Sequence, residues 1–576
     1  MADTTVSGLT SSLFYQPAIT FTGLGSGIDS QTMINRLVEV EGRQLKRFSA
    51  WKEEWLAKIE ALSALEDKLR AFRTTAAGMD SPGEFQVRQV SVSDPGMLAA
   101  SAAPGAALGS HRLLIQQLAQ NEVEVHQGLP GADTVVNASG TAKTLALTYA
   151  GSTFTVNVPS GATLTDLAAA INGSGANPGV QALVVDLGAA AGASRYRLML
   201  QGRDTGAANT ITVADALTTL NGTDGTLDFT AATFSETQNA ANAQLRLNGY
   251  PPDGWIERSA NLITDLIPGV SLSLSGTSAT PVTVSVAPDT AAMQEKITAL
   301  VERYNEVAAY IRELTKFDPV TKKAGLLLGN YVVQLVKSGL TQAATGNAPG
   351  FASPADPYLS LAQVGITTDA DPSSPTFGQL KLDEAALSAA LRERPEAVGE
   401  LFAAAFAGVS DDTTGTISYV SALPDITKPG IYAVTATVQG GVLTGGTING
   451  HPAIVSGDTL TGAAGFPEYG LAVKVALTDG DHTGVVRLKS GLSRTLRDRL
   501  DELLSLATGP VHILIKNYQD IINGIDDKIE LETRRLEAYR QRLTEQFARL
   551  EAVLGQLNDQ ANYLAGQIQK MNNTRS

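Results

Sequence analysis

An apolar residue recurs at every seventh position near the carboxyl end of the chain: Ile522, Ile529, Leu536, Leu543, Leu550, Leu557 and Leu564. A second row, Phe547, Leu554, Ala561 and Ile568, runs beside it at i+4 over the final half. A lone helix has nowhere to bury a continuous seam of this kind, so the pattern predicts a long helix with helical partners. Asp526, Lys528, Glu530, Arg534, Arg535, Arg540, Arg542 and Glu545 suit its solvated face.

Residues 28–72 carry a matching pattern. Phe48, Trp55, Leu62 and Leu69 repeat every seven, and Trp51, Leu65 and Phe72 sit three residues after members of that row. Asp29 is the expected N-cap, with Ile28 and Met33 as a hydrophobic staple around it. A third seam, Met293, Ile297, Leu300, Tyr304, Val307, Ile311 and Leu314, steps by fours and threes behind a cap at Asp289. Three seams from the start, middle and end of one chain predict a helical bundle closed by distant segments, with other domains inserted between them.

From about 85 to 288 the chain turns rich in Gly, Ala, Thr, Ser and Val, with strand-like alternation. Lys143–Val158 reads as a hairpin about Gly151. A short helix follows, capped by Thr163 or Thr165, with Leu164, Leu167, Ala168 and Ile171 as its apolar face. Strands at Gln181–Asp186 and Arg195–Gln201 complete a ββαββ unit. Leu245–Val286 alternates again around a Pro268-Gly269 turn. Beyond the middle helix, Leu326–Gly329 precedes an extended piece near Val364–Thr368 and short helices at Ala386–Leu391 and Pro395–Phe402. Residues 411–490 return to β composition, and Leu492, Leu496, Leu500, Leu503 and Leu504 resume helical spacing.

At 576 residues the chain exceeds one ordinary core. Its 43 Lys plus Arg against 58 Asp plus Glu, a net charge of −15, argue against nucleic acid or an anionic membrane as main partner. There are no cysteines, so disulfides, thiolate catalysis and Cys-based zinc sites are excluded. The first basic residue is Arg36, which does not fit the basic start of a cleaved secretory signal. No apolar run approaches the roughly 20 residues that span a bilayer, so no membrane insertion is expected.

Little in the sequence points to catalysis. His111, His126, His451, His482 and His512 form no HxxxH or HxH pair, and most are expected at exposed or turn positions. No GxSxG elbow marks a nucleophilic serine. GLGSG at 23–27 lacks the spacing and the βαβ context of a dinucleotide fingerprint and reads as a turn into the capped helix. Asp479 and Asp481 about Gly480 read as a solvated turn before a calcium site. No cofactor and no metal are expected.

GLGSGID at 23–29, the helix after it, and SPGEFQVRQVSVSDPGMLAASAAPGAALGSHRLLIQQLAQ at 81–120 resemble the amino-terminal region of flagellar filament-capping proteins, the hook-associated protein 2 family. DTGAANTITV (204–213), closing the ββαββ unit, resembles a repeat shared by flagellins and hook-associated proteins. NLITDLIPGVSLSLSG (261–276), YNEV (304–307), LLLGN (326–330), VGITTD (364–369), LDEAALSAALRERPEAVGELF (382–402) and the helix 518–564 follow in the family's order. Residues 411–490 fall outside that pattern.

The resemblance implies an α+β multidomain protein without catalysis. A discontinuous helical, coiled-coil leg would come from the N-terminal, middle and C-terminal segments, with β-rich head domains inserted. The expected divisions are a disordered extension at 1–18 and terminal coiled-coil segments at 19–45 and 545–576, ordered on assembly. The leg would take 46–80, 289–410 and 491–544; the heads 81–288, with a flagellin-type ββαββ unit at 141–213; and a further β-rich insertion 411–490. The assembly seam would comprise Ile28, Met33, Phe48, Trp55, Leu62, Leu69, Ile522, Ile529, Leu536, Leu543, Phe547, Leu550, Leu554, Leu557 and Leu564. Family members are exported by the flagellar type III apparatus without a cleaved signal. They form a homo-oligomeric ring, most often described as a pentamer, at the filament tip, and there promote flagellin polymerisation and stop flagellin leaking away. Implied partners are other copies, flagellin, the hook-filament junction protein and an export chaperone. A tip adhesin binding host mucin or glycans through the head, or another axial or junction role, is the alternative.

Overall fold

The computed structural model describes residues 29–412 and 414–573. Its helices are α1 (Ser30–Glu41), α2 (Arg43–Ala77), α3 (Pro82–Phe85), α4 (Leu164–Gly173), α5 (Thr290–Thr315), α6 (Tyr331–Thr345), α7 (Glu384–Glu393), α8 (Pro395–Ala403), α9 (Leu492–Leu504) and α10 (Pro510–Asn573). Four apolar clusters form among the described residues, and sequence-distant segments share each of them.

The largest cluster lies where α2, α5, α6, α7, α8 and α9 converge. Leu62, Leu65, Leu69 and Phe72 of α2 meet Ile297, Tyr304 and Ile311 of α5 and Leu496 and Leu500 of α9. All seven α5 seam residues are buried. The Asp289 carboxylate accepts from Ala292 N at 3.0 Å, taking up one of the amides that a helix start leaves without a partner.

Two of these helices differ from the sequence reading. The helix expected across 28–72 is two helices broken at Gly42, and the second runs on to Ala77. A Cβ at Gly42 would lie 3.5 Å from Leu536 Cδ1, an ordinary contact distance, so the break faces α10. The second difference is α6, which was not anticipated. Asn330 caps it by accepting from Val333 N at 3.2 Å, and Val333, Val336, Leu340 and Ala344 are buried.

The inner head core joins two antiparallel sheets. One has strands 88–92, 282–288, 109–117, 243–247 and 256–258 in spatial order; the other has 262–267, 270–274 and 98–102. Pro268-Gly269 makes the expected turn, with Gly269 at φ +76. The chain leaves this core after 109–117 and returns through 243–247, its neighbour in the same sheet.

Between those strands lies the outer head core. The hairpin 143–149/152–158 turns at Ala150 and Gly151, both at positive φ, as a two-residue turn with the twist of its strands requires. Thr163, not Thr165, caps α4, in a reciprocal capping box with Asp166. The unit is larger than 141–213. Strands 123–126 and 234–238 join 180–186 and 196–202 in one sheet, 143–149, 152–158 and 211–213 make another, and Val136 and Phe229 share the core.

The fourth cluster packs two sheets face to face, 407–410/480–489/430–439/442–448/451–452 against 417–421/472–475/459–461/454–456. Strand Ala407–Ser410 pairs with 480–489, so this unit begins at Ala407 rather than at 411. Arg487, 3% exposed, pairs with Asp411 of the insertion and with buried Asp356. Lys489 reaches the same Asp356 carboxylate at 2.5 Å and Glu400 at 3.1 Å.

Two of the five histidines, most of which are expected at exposed or turn positions, are buried. His126 is 1% exposed and stacks on Phe229 at 4.4 Å, and burial lowers its pKa. His482 bonds the Thr478 carbonyl at 2.7 Å. Asp479 accepts from Gly441 N at 2.7 Å and Asp481 from the Thr437 hydroxyl at 2.8 Å, a turn and a cross-strand contact. No group of three or more His, Cys, Asp or Glu suited to a metal occurs among the described residues.

Candidate assembly surface

Below the leg core, α1 and the first half of α2 lie along α10. The contacts fix an antiparallel register: Lys52 to Asp526 at 2.6 Å, Glu41 to Arg535 at 2.8 Å, Asn35 to Arg540 at 2.6 Å, and Ser30 to Glu551 at 2.9 Å. The ion pairs among them are largely exposed and contribute little each, so their main effect is on alignment. Arg535 also meets Glu532 at 2.9 Å, and these two carboxylates, Glu532 before Glu41, hold its pKa above the usual arginine value.

Aromatic rings mark the junction with the core. Trp55 meets Tyr518 edge-on at 4.8 Å, with Lys58 over the indole at 4.3 Å. Lys528 lies over Trp51 at 5.6 Å. Asn330, the cap of α6, donates to the Tyr518 hydroxyl at 2.9 Å and so ties α6 to the long helix.

The expected seam residues divide along this axis. Leu62 and Leu69 are fully buried in the leg core. Ile522, Leu536 and Leu543 are buried, while Phe48, Trp55, Ile529, Phe547 and Leu554 are half-buried. Leu550, Leu557 and Leu564 are exposed by 49%, 55% and 60%. Two causes act together. Helix α1 begins at Ser30, opposite Glu551, and no described element covers α10 beyond that point. A seven-residue row also drifts by about 20° per heptad around a straight helix, which carries the later members away from the buried side.

At the amino end the staple expectation is corrected. Met33 is 41% exposed and Ile34, 1% exposed, takes the inward position. The signal was present, because stepping back two heptads from Phe48 lands on Ile34. Ile28 lies outside the described residues, as do GLGSG and the extension 1–18. Asp29 does cap α1: it accepts from the Thr32 hydroxyl and from Thr32 N, the latter at 3.0 Å, and these bonds lower its pKa. The polar clamps Ser30–Glu551 and Glu41–Arg535 were not anticipated, since periodicity does not say which partner residue lies opposite.

From Ala552 to Asn573, α10 continues for roughly 33 Å at 1.5 Å per residue. Val553, Leu557, Tyr563, Leu564 and Ile568 are more than half exposed on it. Exposed apolar rows of this size often mark surfaces that associate with other proteins. No helix among the described residues is long and apolar enough to cross a membrane.

A split helical leg carrying β-rich insertions defines a multidomain assembly protein of α+β class. Residues 240–559 match the family described as flagellar hook-associated protein 2 C-terminus, 26–122 its N-terminus, and 144–201 the flagellin hook IN motif. The chain belongs to the flagellar hook-associated protein 2 family. It is 25% identical to the A-type flagellar hook-associated protein 2 of Pseudomonas aeruginosa, over 95% of this chain and 96% of that one. It is 26% identical to flagellar hook-associated protein 2 of Escherichia coli K12, over 67% and 80%. Among solved structures, it resembles the D1-D2-D3 domains of the flagellar cap protein of Escherichia coli, with 26% identity, a TM-score of 0.48, and coverage of 60% of this chain and 91% of that one.

Proposed function

We propose that this chain is a structural, non-catalytic cap at the distal end of a bacterial flagellar filament. Copies of it form a ring, most often a pentamer in the family, that promotes insertion of arriving flagellin and keeps flagellin from escaping. Family membership supports this reading, and the observation that carries it on this chain is the uncovered apolar row of α10 beyond Glu551. That row would engage filament or junction subunits, while the heads form a plate above. The segments 19–45 and 545–576 would take their final packing only on assembly. The protein would leave the cell through the flagellar export apparatus, with a chaperone holding it beforehand.

Electron microscopy of filament tips, with the gene intact and deleted, tests this directly. Loss of a tip density and release of flagellin into the medium on deletion are the expected results. Full-length filaments without this protein would overturn the reading.

A further inference from the structure

Two chain segments cross between the inner and outer head cores, and they are bonded to each other where they pass. Gln120 N donates to Ala241 O at 2.9 Å and Ala241 N to Gln120 O at 3.0 Å. The Gln238 amide donates to Asn121 O at 2.8 Å, and the Asn121 amide donates to Gly202 O at 2.6 Å. The loop at 204–207 rests against the inner domain, with the Thr205 hydroxyl donating to Ser259 O at 2.7 Å.

Three carboxylates gather at this neck. Glu124 lies directly opposite Glu236 in the antiparallel register of strands 123–126 and 234–238. Like charges directly opposite one another destabilise a strand pair. Glu122, 4% exposed, accepts from Ile211 N at 3.0 Å. Glu124 and Glu236 line a cavity of about 120 Å³ walled by Leu200, Ile211 and Phe234. Strand 234–238 is an edge strand whose register shifts between Glu236 and Gln238, so its hold on the sheet is already weakened there.

We propose that this cluster makes the neck a pH-responsive joint. A proton held at Glu124 leaves one charge instead of two at the facing pair and keeps strand 234–238 docked. Its release to solvent sets two anions against each other and loosens the joint. Slack at Glu236 passes to Gln238 and, through its bond to Asn121, to the second crossing segment.

Burial, followed by the charges of Glu122 and Glu236, pushes the Glu124 carboxyl up to about 7 from an ordinary 4.5. Burial raises Glu122 also. The groups facing Glu124 from the other elements, Leu200 on strand 196–202 and Ile211, Thr212 and Val213 on strand 211–213, are uncharged. The Arg197 charge acts on His126, which is held by Asp228 O, and the Asn239 amide faces the Glu236 carboxylate. A carboxyl raised in the folded state stabilises fully below pH 4.5, and that contribution is lost as pH rises through about 7.

Hydrogen exchange of the full chain at pH 6 and pH 8, corrected for intrinsic rates, tests the joint. The amides of Gln120, Gly202 and Ala241 should lose about tenfold in protection at the higher pH, as release of one proton near pH 7 requires, while leg-core amides hold theirs. Glu124→Gln should abolish the difference, and Glu236→Gln should move its midpoint to lower pH. Equal protection at both pH values in the natural protein, an undiminished difference in Glu124→Gln, or an unmoved midpoint in Glu236→Gln would overturn the proposal.

Discussion

Ser30 and Glu551, 521 positions apart in the chain, are joined by a hydrogen bond of 2.9 Å that closes the far end of the α1–α10 pair. On the core side of that bond, α1 and α2 pack along α10. The apolar row on its other side does not have a partner among the described residues. This boundary separates substitutions that test folding from those that test assembly.

At and beyond this boundary, Leu550→Asp with Leu557→Asp should leave the fold intact. Both side chains are about half exposed, and surface changes of this kind usually stay within about 0.5 kcal/mol each. Thermal melts should be nearly unchanged, while filament growth fails and flagellin appears in culture medium. Normal filaments from this variant would show that the row plays no part in capping.

On the folding side, Leu69→Ala should cost about 2–5 kcal/mol, because the side chain is fully buried where α2 meets α5 and α9. Denaturant titration followed by far-UV circular dichroism would measure it. A loss under 1 kcal/mol would mean that the site collapses around the missing atoms.

The junction of the insertion with the leg rests on a buried charge cluster. Removing Arg487 by substitution to Met leaves buried Asp356 with Lys489 as its one charged partner, and breaking such a pair costs about 3–5 kcal/mol. The loss should appear first as exchange of strand 480–489 amides, with the outer head unaffected.

The same cluster predicts acid sensitivity. Burial opposes ionisation of Asp356, but the Lys489 hydrogen bond, the Ala352 amide and the Arg487 charge outweigh it, so its pKa falls below the usual 3.8. A depressed carboxyl stabilises above its unfolded value and loses that contribution as pH falls through the folded one. Protection at the junction should therefore hold from pH 7 down to about 4 and decline below it, a profile absent in Asp356→Asn.

The elements with strong local signals were legible in the sequence. Asp29 and Asp289 cap the helices that follow them, one of the two threonines the pattern offers, Thr163, caps α4, and the hairpin turns about Gly151, because each choice depends on a few neighbouring residues. The missed α6 had its signal, Asn330 before Val333, Val336 and Leu340, but its short apolar run follows a Gly-rich turn and blends with loop composition. The local staple pattern points to Met33, whereas Ile34, two heptads before Phe48, is the residue that turns inward. The contacts at Ser30–Glu551 and Arg487–Asp356 join residues hundreds of positions apart, and no local pattern encodes which partner lies opposite. Exposure of Leu557 and Leu564 likewise depends on where a different helix begins.

Ala407 and Lys489 face each other in the register of the insertion's first and last strands. Directly opposed residues of an antiparallel pair sit roughly 5 Å apart at Cα. The polypeptide therefore enters and leaves this unit at almost one point, like a pendant on a single ring. Such an attachment allows the pendant to be exchanged for another with equally close ends, without displacing the helices that carry it, so long as the replacement keeps a basic residue against Asp356.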